Sequence, residues 1–137
     1  MRLEVQIPAT SATGITVAFL YDNDGYSEVG EFMKNLELHH PKDYSKTLAL
    51  FTFAAQNWPI RNREKSKLIE APIGELKSHQ IRILWFVNNE KPNTLVCVSA
   101  ERKKGDFLSD GTIKRAKDRM REWNSRQTQL NAKEQKP

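Results

Sequence analysis

The fold is decided by residues 74–104, GELKSHQIRILWFVNNEKPNTLVCVSAERKK. Alternation of apolar and polar residues, with many β-branched and aromatic types, predicts strands at residues 81–87 and 94–100. Between them, residues 88–93 hold Asn, Pro and charged residues that favour a reversal in water, so the two strands form a hairpin. A short outer strand at residues 74–77 is expected to precede this hairpin.

Positive charges interrupt and end this apolar stretch. Arg82 stands at the start of the most hydrophobic strand, and Arg102, Lys103 and Lys104 follow the last one. A guanidinium on a rigid strand matches phosphate oxygens and stays ionised. The pattern therefore indicates a sheet that holds an anion.

Composition limits the class of protein. The chain has 137 residues, 38% of them hydrophobic and 28% charged, which is typical of one globular domain. We expect that domain over residues 1–130, a frayed tail over residues 131–137, and a cytoplasmic location without a membrane span or secretory signal. The single cysteine, Cys97, excludes an internal disulfide and predicts a small buried side chain on a strand.

The charge is unevenly distributed along the chain. Residues 1–60 carry four Lys and Arg against seven Asp and Glu, whereas residues 61–137 carry eighteen against ten. A partner rich in phosphate, such as a nucleic acid, favours this segregation, although a solvated surface explains it equally well on charge alone.

Two strands and two helices are predicted before the central stretch. Residues 2–8 and 15–21 alternate as strands, and Ser27 is a helix N-cap before an amphipathic stripe. A second helix, from Asp43 to the residue before Pro59, has a predicted buried face. That face consists of Tyr44, Leu48, Phe51, Ala55 and Trp58.

The remaining segments complete an α+β layout. Residues 61–70 connect the helices to the sheet, and in an extended conformation Arg61, Arg63, Lys65 and Lys67 would share one face. A third helix is predicted from Ser109 or Asp110 to about Gln127, with its basic residues on solvated faces. We expect an antiparallel-rich twisted sheet of four or five strands, with the helical hairpin on one face and the other face open toward the third helix.

The chain resembles the RelE/HigB-like toxins of bacterial and prophage toxin-antitoxin pairs. The resemblance covers about half of the chain. It runs through residues 68–70, 73–77 and 81–86, the strand at 95–100, the cluster at 102–104, and the start of the last helix with Ile113 and Ala116.

The resemblance implies a compact fold like that of microbial RNases. It implies cleavage of mRNA, usually on the ribosome, and neutralisation by a cognate antitoxin, here expected to be a helix-turn-helix protein. Where the family commonly has an arginine after Glu-Leu, this chain has Lys77. It also lacks the Tyr or His that some relatives place near residue 99 beside the scissile phosphate.

Metal-free RNA cleavage needs a base for the 2′-hydroxyl, an acid for the leaving oxygen, and a cation for the charged intermediate. Arg82 is the candidate for the cation, with an ion pair to Glu75 as the alternative. Lys77, crowded by cations that lower its pKa, is the candidate for proton transfer. His79 is a further acid or base candidate, with a plain turn residue as the alternative. The predicted RNA-binding residues are Arg61, Arg63, Lys65, Lys67, Arg102, Lys103 and Lys104. For Lys103 and Lys104 the alternative is a solvated loop, which would be favoured without the resemblance.

No metal or cofactor is predicted. His39 and His40 lie between the helices without further ligands nearby, and no Gly-rich phosphate loop is present. In a second hypothesis the chain has the same fold but does not cleave RNA. It is then a relative that poisons a protein target such as DNA gyrase, or a phage-derived binding protein.

Overall fold

A computed structural model describes residues 1–90, 93–103, 105 and 108–134. Over these residues the chain forms three helices and one six-stranded mixed sheet, an α+β fold. The strands are β1 (Arg2–Ile7), β2 (Thr16–Tyr21), β3 (Ser66–Glu70), β4 (Ile73–Ser78), β5 (Ile81–Asn88) and β6 (Thr94–Arg102). The helices are α1 (Glu28–His39), α2 (Pro41–Gln56) and α3 (Asp110–Glu134).

The strand order in the sheet is β1-β2-β6-β5-β4-β3. β3 to β6 form an antiparallel meander, β1 pairs antiparallel with β2, and β2 pairs parallel with β6. The parallel pair needs a crossover, and the α1-α2 hairpin starts that connection. β5 and β6 are the predicted central hairpin, and they occupy the middle of the sheet.

Helices cover both faces of the sheet, and each face has its own apolar cluster. On one face, which we call the hairpin face, Phe51 of α2 packs with Leu76 and Ile83. On the other, the α3 face, Trp123 packs with Leu84 and Val98. Alternation along each strand assigns the remaining side chains to these faces.

Several local predictions are confirmed. The hydroxyl of Ser27 accepts a hydrogen bond of 3.1 Å from the Gly30 N–H and caps α1. Cys97 is fully buried on β6, and burial raises the pKa of its thiol. The turn between β4 and β5 consists of His79 and Gln80.

The number of strands was predicted wrongly. The prediction of four or five omits β3, because the cations around it made residues 61–70 look like a solvated connector. Only Lys67 of the four predicted cations belongs to that strand; Arg61, Arg63 and Lys65 precede it, so the four do not share one face.

The helices also differ from the predictions in detail. The buried face of α2 includes Thr47, Leu50 and Ala54, while Leu48 is 38% exposed. The helix α3 continues past Gln127 to Glu134, through part of the predicted tail. It lies on the α3 face over β5 and β6, the face that was predicted to be open toward the third helix and solvent.

Candidate functional site

Four predicted site residues have neighbouring positions on the α3 face of the sheet. Lys77 on β4 lies opposite Arg82 on β5, and Lys67 on β3 lies opposite Glu75 on β4. Because Leu76 is in the core of the hairpin face, its neighbours Glu75 and Lys77 belong to the other face. We call Lys67, Lys77, Arg82 and Lys103 the cation cluster.

Glu75 is the acidic partner of the cation cluster. Its side chain is only 4% exposed, with Oε1 at 3.7 Å from Nζ of Lys67 and Oε2 at 3.9 Å from Nε of Arg82. At these distances the groups form ion pairs but no hydrogen bonds. Oε2 of Glu75 and Nε of Arg82 are both buried without a hydrogen-bond partner among the residues that the structure describes.

Arg82 is held by its own chain as well as by Glu75. Its Nη1 donates to the carbonyl oxygen of His79 and, over 3.0 Å, to that of Ile81. The side chain is 12% exposed. The ion pair with Glu75, given above as the alternative to a phosphate contact, is thus present in the structure.

Lys77 lies in a positive electrostatic environment. Its pKa is lowered from the ordinary value, first by partial desolvation and next by the ammonium of Lys67. Glu75 opposes this effect, whereas Arg82 and Lys103 lower the pKa further. A lysine of this kind loses its proton more readily than one in water, so it can exchange a proton with a ligand.

A cleft of about 380 Å³ lies beside the cation cluster. Lys67, Glu75 and Lys103 line it, together with residues at the beginning of α3. The backbone of Lys103 is fixed by its N–H, which donates over 2.6 Å to the carbonyl oxygen of Gln80. Lys104, the other lysine of the predicted pair, lies outside the described residues.

The other predicted RNA-binding residues do not join this cleft. Arg61 and Arg63 are exposed in the segment before β3. Nζ of Lys65 lies 4.7 Å from the ring centroid of Phe53 on α2. Arg102 donates over 2.9 Å to the carboxylate of Asp43, also on α2, so it is on the hairpin face.

His79 is also separate from the cation cluster. Its Nε2 lies 3.1 Å from Nζ of Lys46 on α2, and its backbone has a positive φ of 52°. The ring is therefore directed toward the hairpin rather than toward Lys77 or Arg82.

The sequence analysis missed Glu28. Its carboxylate accepts hydrogen bonds of 2.7 Å from Arg115 and from Arg119, both on α3, and one of 2.8 Å from the Ala100 N–H. The two arginines were assigned to solvated faces, which is confirmed for the exposed Arg115, whereas Arg119 is partly buried. An acid in the first turn of a helix is a common sequence feature and does not reveal a partner 87 residues away.

No three His, Cys, Asp or Glu side chains in the described part of the chain are placed to hold a metal ion. None of the helices in that part is long and apolar enough to cross a membrane. Comparison of the sequence with protein-family models and with curated proteins gives no match. The geometry of the cation cluster is therefore the basis for assigning a function.

Proposed function

We propose that this protein is a RelE/HigB-like toxin that cleaves mRNA by metal-free general acid-base catalysis. The observation that carries the proposal is the grouping of Lys67, Lys77, Arg82 and Lys103 on the α3 face, where Lys67 and Lys103 line one cleft. Their four positive charges exceed the two negative charges of Glu75 and Asp110, which line the same cleft. An excess of positive charge in a cleft attracts a polyanion and stabilises a charged phosphorane.

The element order supports a RelE-like, microbial RNase-like fold. From β2 onward, a strand is followed by a helical hairpin, an antiparallel meander and a last helix. This order puts Lys77 and Arg82 on the two central strands of the meander, directly opposite each other. Groups on adjacent strands keep a fixed separation, as proton transfer to a bound substrate requires.

Lys77 acts as the proton-transfer group in this proposal. Its neutral amine takes the proton of the 2′-hydroxyl, and the resulting alkoxide attacks the adjacent phosphorus. Lys67 and Lys103 neutralise the non-bridging phosphate oxygens. The leaving 5′-oxygen takes its proton from water or from the ammonium that Lys77 has become.

Arg82 stabilises the phosphorane only after its contact with Glu75 is exchanged for a contact with phosphate. The two groups are 3.9 Å apart without a hydrogen bond, so this exchange gives up no directed interaction between them. A phosphate offers the guanidinium two oxygens in the geometry that it prefers.

Substitution of Lys77 tests the proposal. The assay incubates the purified protein with ribosomes and an mRNA. The buffer contains EDTA, and Mg²⁺ is added only up to the concentration that intact ribosomes need. We expect Lys77→Ala and Lys77→Arg to reduce the cleavage rate by about 100-fold or more, because arginine keeps the charge but does not release its proton.

The matched control is Lys34→Ala, a lysine on the exposed surface of α1 that forms an ion pair with Glu31. Cleavage by this variant should equal that of the wild type. If Lys77→Arg cleaved mRNA at the wild-type rate, Lys77 would not be the proton-transfer group.

The proposal also includes partners and a location. We propose mRNA on the ribosome as the substrate, a helix-turn-helix antitoxin as the neutralising partner, and the cytoplasm as the compartment. A small helix-turn-helix reading frame adjacent to the gene, and release of growth arrest on its co-expression, would support this set of proposals.

The second candidate function is a non-catalytic relative that poisons a protein target such as DNA gyrase, or a phage-derived binding protein. The contacts of Arg82 with two backbone carbonyl oxygens and with Glu75 favour it, because they occupy groups that cleavage requires. Expression of the protein separates the two functions. Growth arrest with cut transcripts, lost in Arg82→Ala, supports cleavage, whereas arrest with intact transcripts and damaged DNA supports gyrase poisoning.

A further inference from the structure

An apolar groove lies on the hairpin face, where the chain leaves α2 and reaches β3. Its volume is about 520 Å³. Apolar side chains form most of its walls, among them Trp58, Ile60, Leu68, Trp85 and Val87. A groove of this size and composition is typical of a binding site for an apolar group.

The ring of Trp85 forms part of one wall of the groove. Trp85 is 5% exposed, and its Nε1 has no hydrogen-bond partner in the described part of the chain. The ring of Trp58 stands edge-on to that of Trp85, with the ring centroids 5.0 Å apart. The two indole rings therefore give this wall a rigid apolar surface.

The groove borders the free edge of the sheet. β3 is the last strand in the strand order, and no described residue pairs with its outer edge. The N–H of Lys77 on β4 donates to the carbonyl oxygen of Lys65, so the backbone groups of Lys65 face β4. Successive residues of a strand direct these groups to opposite sides, so the N–H and C=O of Leu68 face away from β4. The side chain of Leu68 is 58% exposed beside the groove. An edge with these features accepts a further strand.

The charges around this edge specify the occupant. Arg61, Arg63 and Lys65 are exposed in the segment that leads into β3, against one acid in that segment, Glu64. Glu70, at the end of the strand, contacts Lys117 of α3 and is thereby neutralised. The free edge is therefore basic, and acidic side chains complement it.

We propose that the outer edge of β3 binds an extended acidic peptide segment of a partner protein. The segment adds a seventh strand and places an aliphatic side chain between Trp58 and Leu68. Its acidic side chains alternate with the aliphatic ones and meet Arg61 and Arg63, which precede β3. This binding site is separate from the cleavage chemistry proposed above and does not depend on it.

A synthetic peptide tests the proposal on the full chain. The probe is acetyl-Glu-Val-Asp-Ile-Glu-Val-Asp-Leu-amide, and binding is measured by calorimetry at low salt. The matched probe has the same sequence with N-methyl groups on alternate amides, which block strand pairing. We expect the first peptide to bind, and the methylated peptide to bind at least about 10-fold more weakly.

Variants locate the bound peptide. Leu68→Glu puts a like charge beside the peptide and should weaken binding by about 10-fold or more. Leu38→Glu, the same substitution on the exposed surface of α1, should leave binding unchanged. Hydrogen exchange at the Leu68 amide should slow on binding in the wild type.

Three results would overturn the proposal: no binding of the first peptide, equal binding of the two peptides, or equal binding by Leu68→Glu and Leu38→Glu. None of these results bears on cleavage, which is assayed separately with Lys77 variants.

Discussion

Among single residues, Glu28 connects the helices on the two faces of the sheet. β2 pairs with β6 only as far as Phe19 and Cys97, so β6 has an unpaired edge beyond that point. The Glu28 carboxylate accepts the Ala100 N–H there and also binds Arg115 and Arg119. One carboxylate thus completes the edge of β6 and connects α1 to α3.

We predict that Glu28→Gln lowers the free energy of unfolding by about 2 kcal/mol at pH 7, because two charge-assisted contacts are lost. Burial alone would raise the pKa of Glu28, but hydrogen bonds from Arg115, Arg119 and Ala100 lower it below the ordinary value of 4.5. This stabilisation is therefore complete above about pH 4.5 and is lost as the pH falls through the lower folded pKa.

Urea unfolding across this pH range measures the effect. The difference between wild type and Glu28→Gln should narrow below pH 4.5. Glu31→Gln is the control, because the exposed carboxylate of Glu31 forms an ion pair with Lys34 on the same helix. It should change stability by less than about 0.5 kcal/mol. A constant difference at all pH values would contradict the assigned pKa direction.

Gly74 is required by the packing of Trp85. A Cβ at residue 74 would lie 2.2 Å from Cζ2 of the indole, which cannot move because it is buried. We predict that Gly74→Ala lowers the free energy of unfolding by about 2 kcal/mol or more.

The comparison is Gly111→Ala in α3, where the nearest atom to the new Cβ is 3.5 Å away. That variant should gain about 0.5–1 kcal/mol from helix propensity. Thermal unfolding of both variants checks the pair of predictions. A neutral Gly74→Ala would mean that Trp85 does not lie over residue 74.

The turn between β4 and β5 is the element that separates His79 from the cation cluster. Its positive φ of 52° directs the ring toward Lys46 on α2. The sequence places His79 three residues before Arg82, and only the turn conformation determines which face of the sheet its ring reaches.

We predict that His79→Gly raises the free energy of unfolding by about 0.5–1 kcal/mol, because glycine adopts positive φ without steric cost. mRNA cleavage by the variant should remain at the wild-type level. The two measurements are a melting curve and the ribosome assay described above. Loss of cleavage in a stabilised His79→Gly protein would instead assign the histidine a chemical role.

At the scale of the whole molecule, the basic half of the sequence does not form one basic surface. Arg102 pairs with Asp43, Arg115 and Arg119 pair with Glu28, and Lys117 pairs with Glu70. Much of the positive charge of residues 61–137 therefore has a structural partner. Lys77, Lys103 and the exposed residues before β3 remain for ligands, together with Lys67 and Arg82, which share the single charge of Glu75.

This distribution predicts a modest salt dependence of RNA binding. Contacts of Lys67, Lys77 and Lys103 with three phosphates give a slope of about −2 in a plot of log affinity against log salt concentration. Lys103→Ala should reduce the slope by about 0.7, whereas Lys114→Ala, on an exposed helix surface, should not change it. Fluorescence anisotropy with a single-stranded RNA measures the slopes. An unchanged slope for Lys103→Ala would exclude Lys103 from the interface.

Local patterns in the sequence determined most of the elements. The alternation of residues 81–87 and 94–100 gave the central hairpin, and Ser27 gave the start of α1, because each depends on neighbours in the chain. The same reasoning missed β3, since its alternating cations resemble a solvated connector. It also identified Lys77 and Arg82 as candidates by residue type and position.

Only the tertiary structure decided how these residues are partnered. Glu75 lies beside Lys67 and Arg82, and Glu28 reaches Arg115 across the molecule. Residue type fixes the charge of a side chain, but ion pairing and pKa depend on distance and burial, which arise when segments far apart in the chain pack together.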